Sequence, residues 1–167
     1  MLNAFVRSRI TWRGLAFLAL WGLLFATLLK SMNRRKKMNT INDTGRAVYL
    51  LLLEAGFYSR QAKFIMAQAA HETANFTSAV FLQNKNLFGY GFRGQQIAKG
   101  VKNGYANYET IKDSIQDFKN YYQRGKYPEV FTSIEEYVKA LKKAGYYEAD
   151  ETEYLNGCKH FYKLYFE

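Results

Sequence analysis

The chain has 167 residues, a length that fits one compact domain with an extension, and its formal net charge is +10. Eight of the 24 basic residues lie in residues 1–37, which contain no acid, leaving 16 Lys and Arg against 14 Asp and Glu elsewhere. A nucleic-acid groove on the rest of the chain therefore loses most of its electrostatic support. One cysteine, Cys158, excludes an intrachain disulfide, and two histidines without Cys/His spacing argue against a zinc site. We expect no nucleic-acid partner, no metal and no cofactor.

The first predicted element is an apolar N-terminal helix. Residues 14–29 contain no charged side chain, and a window from residue 10 gives about twenty residues, enough to cross a bilayer. No small-residue cleavage site follows this run, which argues against a cleaved signal peptide. We predict a single transmembrane helix at about residues 10–29, inside a membrane anchor of residues 1–37 whose partner is membrane lipid.

Residues 38–167 form the second predicted domain, and a predicted linker, residues 37–45, leads into its first helix. Asp43 or Thr44 is the predicted N-cap of the helix that follows, and Gly56 is its predicted end.

A second helix is predicted to begin at a cap on Ser59 and to run to about residue 73. Its apolar positions define a face that packs inward, made of Phe64, Met66, Ala67, Ala69 and Ala70. Glu72 falls in the last turn, where a carboxylate gains nothing from the helix dipole. Stability alone does not explain an acid at that position.

A Gly-rich segment with scattered aromatics, residues 84–109, predicts a small antiparallel element of two or three short strands. Helices resume at Thr110, which has capping-box spacing to Asp113, and Ser133 repeats this spacing with Glu136. A last helix is predicted from about residue 151 to residue 164. The predicted fold class is α+β, mostly helical, with one small β lobe.

Glu72 is the residue that suggests chemistry. Residues 73–108 contain no Asp or Glu, so this acid stands alone at the head of the Gly-rich segment. Partial burial among apolar side chains would raise its pKa. A carboxylic acid that stays protonated near neutral pH is what protonation of a glycosidic oxygen requires. A solvated or structural glutamate remains the competing interpretation at this point.

Four short motifs in a fixed order, spread over residues 59–158, strengthen the catalytic interpretation. They are Ala70-His71-Glu72-Thr73, Asn86-Leu87-Phe88-Gly89, Tyr108-Glu109-Thr110 and Ala144-Gly145-Tyr146. Together they resemble the peptidoglycan-cleaving N-acetylglucosaminidases of glycoside hydrolase family 73. The resemblance implies a lysozyme-like fold in which a helical lobe and a small β lobe flank a sugar-binding cleft.

The resemblance also implies roles for individual residues. Glu72 corresponds to the general acid, and Tyr146 to a tyrosine near the cleaved bond. Asn86 and Phe88 correspond to the turn that shapes the floor of the cleft. Nearby aromatic side chains could stack on sugars or fill the core of the β lobe; they are Tyr90, Phe92, Tyr105 and Tyr108.

The chain departs from the family pattern in three places, one of which is Asn75-Phe76 where the family often has Gly-Trp. His71 replaces the usual leucine, and we interpret it as packing or as the cleft rim. Gln95 and Gln96 occupy the region where some members carry a second carboxylate. Three routes then remain: attack by the substrate's 2-acetamido oxygen, a water held by Tyr146 or Asn86, or attack by an internal sugar hydroxyl, as in lytic transglycosylases.

The predicted function is hydrolysis of β-1,4 glycosidic bonds in peptidoglycan glycan strands by a single-pass membrane protein. Its catalytic domain would lie on the peptidoglycan side of a host inner membrane or a virion membrane, under the hypothesis of a phage origin with virion proteins as further partners. The alternatives are a lytic transglycosylase or muramidase, a catalytically silent glycan-binding module, and a virion structural protein with this fold.

Overall fold

A computed structural model describes residues 12–125, 127 and 130–167; the side chains of residues 12–22 and 37–41 lie outside that description. The chain divides into two compact units, Met1–Thr40 and Ile41–Glu167. The described residues form six helices and two short strands. In chain order these are α1 (Trp12–Glu54), α2 (Ser59–Glu72), α3 (Ala79–Asn84), β1 (Val101–Lys102), β2 (Tyr105–Ala106), α4 (Ile111–Arg124), α5 (Ile134–Lys143) and α6 (Glu151–Phe166).

The predicted membrane span coincides with the first part of α1. Where its side chains are described, from residue 23 to residue 36, they are exposed. Among the described residues, no helix combines the length and the apolar character that crossing a bilayer demands. Most of the predicted span, about residues 10–29, falls on residues whose side chains lie outside the description. The anchor therefore stays a prediction.

The predicted linker at residues 37–45 is wrong, because α1 continues through it as a helix. The segment contains no proline, and Asn, Asp and Thr disfavour a helix interior only modestly. Gly45, which follows the proposed caps Asp43 and Thr44, has a packing role: an added Cβ would lie 2.4 Å from the ring of Tyr165. The predicted stop is confirmed, since α1 ends at Glu54 and Gly56 adopts a φ of +91°.

The core of Ile41–Glu167 is built around α2, whose closest helical partner is α6. All of the predicted inward positions of α2 are buried, namely Phe64, Met66, Ala67, Ala69 and Ala70. Ser59 is not the cap, because Tyr58 occupies the N-cap position and makes no side-chain cap bond. The Ser59 hydroxyl instead lies 3.0 Å from the hydroxyl of Tyr49 on α1.

The small lobe contains a two-stranded antiparallel hairpin, with Val101 opposite Ala106 and Lys102 opposite Tyr105. Its two-residue turn has positive φ at both Asn103 and Gly104, a backbone conformation that an Asn-Gly pair adopts readily in a tight hairpin. Helix α3, which precedes the hairpin, was not predicted. Its Ser78 hydroxyl caps it by accepting from the backbone N–H of Phe81.

The remaining helices begin where the sequence predicted. Thr110 and Asp113 exchange both bonds of a capping box at the start of α4. Ser133 accepts from the N–H of Glu136 at the start of α5, and Asp150 accepts from two N–H groups of α6. The mostly helical α+β class is confirmed for the described residues.

Candidate active site

Glu72 is half-buried and is the last residue of α2, a helix most of whose residues are buried. After it the backbone turns sharply, since Ala74, Asn75 and Phe76 all have positive φ. The hydroxyl of Thr73 supports this turn by donating to the carbonyl of Ala69 and accepting from the N–H of Phe76, at 2.6 and 2.9 Å. The turn stops the helix directly after Glu72, which leaves the carboxyl at the rim of the helical lobe.

A cleft of about 760 Å³ opens beside this carboxyl. It is lined by the end of α2, by the segment from Phe88 to Gln95, by one side of α4, and by the loop after α5. Four of the predicted site residues meet there: Glu72, Phe88, Tyr90 and Tyr146. The cleft therefore brings together residues that are far apart in the sequence.

Asn86 fixes the turn that forms the floor of this cleft. It is 1% exposed, and its amide group donates to the carbonyls of Tyr90 and Ala106 at 2.9 and 3.0 Å. Its oxygen accepts from the N–H groups of Phe88 and Tyr90, both at 3.2 Å. Because its amide groups are already bonded to backbone, Asn86 shapes the floor and has no group left to hold a substrate water.

Phe88 and Tyr146 join the floor to the opposite wall. The ring of Phe88 stacks on Phe118 of α4 at 4.1 Å, and its carbonyl accepts from the hydroxyl of Tyr146 at 2.9 Å. Burial raises the pKa of Tyr146 well above its ordinary value, with the charge of Glu72 adding to the effect. Tyr146 is therefore a neutral phenol whose proton is already donated, although its oxygen can still accept a bond.

The carboxyl of Glu72 has one strong partner. Its Oε1 accepts from the hydroxyl of Tyr154 on α6 at 2.5 Å. Burial raises the pKa of Glu72, and the bond from Tyr154 opposes that shift to a smaller extent. The protonated form of Glu72 is therefore favoured relative to a glutamate in water.

Three of the predicted contact aromatics lie outside the cleft lining. Tyr108 is buried below it, and its hydroxyl donates to Oδ2 of Asp117 at 2.6 Å. Tyr105 is 39% exposed on β2, and the exposed ring of Phe92 also stays outside the lining. Of the four loop aromatics, only Tyr90 faces the cleft, in ring contact with Tyr146 at 6.0 Å.

The structure adds cleft residues that the sequence interpretation missed. Two more acids line the cleft besides Glu72, the buried Asp117 on α4 and the exposed Glu148 in the loop after α5. Asp117 could have been found, because it lies three residues after Ser114 on the inward stripe of α4. Tyr154 carried a similar signal, since it precedes the buried Cys158 by four residues.

The cleft also contains positively charged side chains. The exposed side chains of Arg93 and Arg124 also line the cleft. Across the part of the chain that the structure describes, no three His, Cys, Asp or Glu side chains come close enough together to hold a metal ion. Cys158 is fully buried, and burial raises the pKa of its thiol.

Comparison with known families agrees with the motifs. Residues 52–166, more than half of the chain, match the glucosaminidase family, which is described as mannosyl-glycoprotein endo-β-N-acetylglucosaminidase. The match includes Glu72 and every residue that lines the cleft. Neither curated proteins nor solved structures give a match.

Proposed function

The chain belongs to the glucosaminidase family of glycoside hydrolases, and from that membership we propose that it cleaves β-1,4 bonds of peptidoglycan glycan strands after N-acetylglucosamine, with Glu72 as the general acid. One observation carries the proposal. The carboxyl of Glu72 lies at the wall of a large cleft, in surroundings that raise its pKa. A raised pKa increases the protonated fraction of the carboxyl at a given pH, and a protonated carboxyl can donate its proton to a glycosidic oxygen.

The other walls of the cleft suit a glycan. The rings of Tyr90 and Tyr146 line the cleft and offer apolar surface on which sugars can stack. Arg93 and Arg124 add positive charge, which favours a strand that bears carboxylates on its lactyl groups or peptide stems.

Fewer routes remain for the nucleophilic attack on the sugar than the sequence alone left open. Asn86 is excluded as a holder of the attacking water, because its amide is bonded to backbone. Tyr146 can act only as an acceptor, since its proton is bonded to the carbonyl of Phe88. Asp117 and Glu148 restore a second carboxylate to the cleft. We propose that either a water or the substrate's own acetamido oxygen attacks the sugar. The variants Asp117→Asn and Glu148→Gln test which of these two nucleophiles is used.

The kcat values of these two variants are expected to differ between attack by water and attack by the acetamido oxygen. If a carboxylate activates the water, one of the two variants should lose about 10²- to 10⁴-fold in kcat, the range for general acid–base catalysis. If the acetamido oxygen attacks, both variants should keep their rate within about tenfold, while a glycan without N-acetyl groups should not be cleaved.

The primary test is digestion of purified sacculi by the full chain and by Glu72→Gln. The variant should lose about 10²- to 10⁴-fold in kcat while still binding sacculi, because the amide keeps the shape but has no acidic proton. Glu109→Gln is the matched control: Glu109 is exposed and paired with Lys99 at 3.0 Å, outside the cleft. Undiminished activity of Glu72→Gln would rule out the assignment.

Mass spectrometry of the released fragments identifies the reaction. Reducing N-acetylglucosamine ends support the proposal. Reducing N-acetylmuramic acid ends would make the protein a muramidase, and anhydro-muramic ends a lytic transglycosylase. Binding to sacculi without any cleavage by the wild-type chain would indicate a glycan-binding or structural protein of a virion.

We also propose that residues 1–37 anchor the protein to a membrane, with residues 38–167 on the peptidoglycan side. The proposal rests on the uncharged run of residues 14–29 and on the basic residues that follow it. Retention in membranes after alkaline carbonate extraction is the expected result, and release into the supernatant would contradict it. Mass spectrometry of purified virions against host membranes would then separate a virion location from a host one.

A further inference from the structure

Tyr154 and Glu72 form the shortest polar contact in the cleft. The Tyr154 hydroxyl donates to Oε1 of Glu72 at 2.5 Å. Oε2 has no hydrogen-bond partner among the described residues, yet it is not sealed away from solvent. It points toward Gly89 of the floor turn, where an added Cβ would lie 3.6 Å from it. The two oxygens of one carboxyl thus have different surroundings.

The ring of Tyr154 is held on both sides. It is 5% exposed, and it stacks on Tyr147 with a centroid distance of 3.8 Å and an interplanar angle of 6°. The imidazole of His71 meets it edge-on at 4.9 Å. Lys142 steadies this wall by bonding the carbonyls of Glu148 and Ala149 and by lying over the Tyr147 ring. Because these contacts restrict the ring, its hydroxyl stays aimed at Glu72.

Building on the proposed function of Glu72, we propose that Tyr154 is the positioning residue of the general acid: its hydroxyl occupies Oε1 and so assigns the transferable proton to Oε2. During the reaction the proton passes from Oε2 to the glycosidic oxygen. The bond between that oxygen and the anomeric carbon breaks, and its electron pair stays with the departing oxygen. Glu72 is left as a carboxylate, and the bond from Tyr154 becomes charge-assisted and stronger.

Other titratable groups surround Glu72, but none of those described donates to its carboxyl. On its own helix the neighbour is His71, and α6 contributes Cys158. Burial lowers the pKa of His71 and raises that of Cys158, so both are neutral at neutral pH. The loop after α5 contributes the neutral phenol Tyr146 and the exposed Glu148, and the charged groups elsewhere in the cleft are Asp117, Arg93 and Arg124.

The test is Tyr154→Phe, which removes the hydroxyl and keeps the ring. Without the bond, the ionised form of Glu72 loses a donor, so the pKa of Glu72 should rise. The limb of the kcat profile that reports Glu72 should then move to higher pH. We expect kcat to fall by about tenfold, less than the loss of the acid itself, with KM within about twofold.

Tyr137→Phe is the matched control. It also removes a buried hydroxyl that donates to a side chain, that of Gln68 in the core, and it does not line the cleft. A purely structural role for Tyr154 predicts that both variants lower stability and leave the pH profile unchanged. That outcome, with kcat of Tyr154→Phe within twofold of wild type, would overturn the proposal.

A second measurement separates this proposal from the assignment of Glu72 as the acid. NMR titration of the ¹³C-labelled Glu72 carboxyl, identified by its loss in Glu72→Gln, needs no enzymatic activity. The pKa of Glu72 should be higher in Tyr154→Phe than in wild type and lower when fluorotyrosine, a stronger donor, replaces Tyr154. An unchanged pKa in both proteins refutes the role of Tyr154, whereas an active Glu72→Gln refutes the proposed function.

Discussion

Gly157 of α6 lies directly against the imidazole ring of His71. A Cβ added at this glycine would come within 2.3 Å of the ring atom Cε1. His71 in turn contacts the rings of Tyr154 and Phe161. The absence of a side chain at Gly157 is therefore what lets α6 approach the end of α2, where Glu72 and Tyr154 meet.

Gly157→Ala should destabilise the protein even though alanine is the better helix former. The intrinsic gain of about 1 kcal/mol is opposed by overpacking against His71, which typically costs about 1–3 kcal/mol. We expect a net loss in the free energy of unfolding measured with urea. Activity should fall as well, because His71 lines the cleft beside Glu72.

The double variant His71→Ala/Gly157→Ala is the control for this clash. Once the imidazole is gone, alanine at position 157 should be neutral or stabilising relative to His71→Ala alone. A Gly157→Ala protein that is more stable than wild type would show that His71 moves aside without cost.

Local patterns explain why much of this fold was predictable from sequence. Capping at Thr110 and Ser133 depends on residues three positions apart, and the inward face of α2 depends on helical periodicity. Gly45 was wrongly assigned to a linker because its role depends on packing against a residue far away in the sequence. A glycine after Asp43 and Thr44 looks like a boundary, but its neighbour Tyr165 comes from the other end of the chain.

The same distinction applies to the site. Glu72, Phe88 and Tyr146 were placed by short motifs, and the structure brings them to one cleft. Tyr154 and Asp117 were missed because their importance comes from particular side-chain partners, Glu72 on another helix and Tyr108 in the preceding loop, which periodicity does not identify. Periodicity indicates that such residues face inward, but only the packing of the helices shows which side chain each of them meets.

Replacing Ala74 with glycine should stabilise the folded protein. It is exposed, and its φ of +48° lies in the left-handed region, which costs an L-residue roughly 1–2 kcal/mol. Glycine avoids this cost, although it adds freedom to the unfolded chain. We therefore expect Ala74→Gly to raise the free energy of unfolding by up to about 1 kcal/mol.

Ala47→Gly provides the matched control for this change. Ala47 is also exposed, but it lies inside α1, so the same substitution should lower the free energy of unfolding by about 1 kcal/mol. Opposite signs for the two variants support the assigned backbone conformation. A loss of stability in Ala74→Gly equal to that in Ala47→Gly would contradict it.

Glu72 should lower the free energy of unfolding at neutral pH, because its carboxyl is partly removed from water in the folded protein. Its pKa in the folded protein is raised above the ordinary value of 4.5, so the folded state holds the proton to higher pH than the unfolded state does. The contribution of Glu72 to stability is therefore fully present below the unfolded pKa. It is lost as the pH rises through the folded pKa.

Glu72→Gln should consequently be more stable than wild type at neutral pH, because glutamine cannot ionise and its amide oxygen can still accept from Tyr154. Thermal unfolding from about pH 4 to pH 8 should show a difference in Tm that is small at the acidic end and grows as pH rises. Glu109→Gln, which breaks only an exposed pair with Lys99, should change stability by no more than about 1 kcal/mol. If the Tm advantage of Glu72→Gln were constant over this range, the gain would come from packing, and the raised pKa of Glu72 would lose its support.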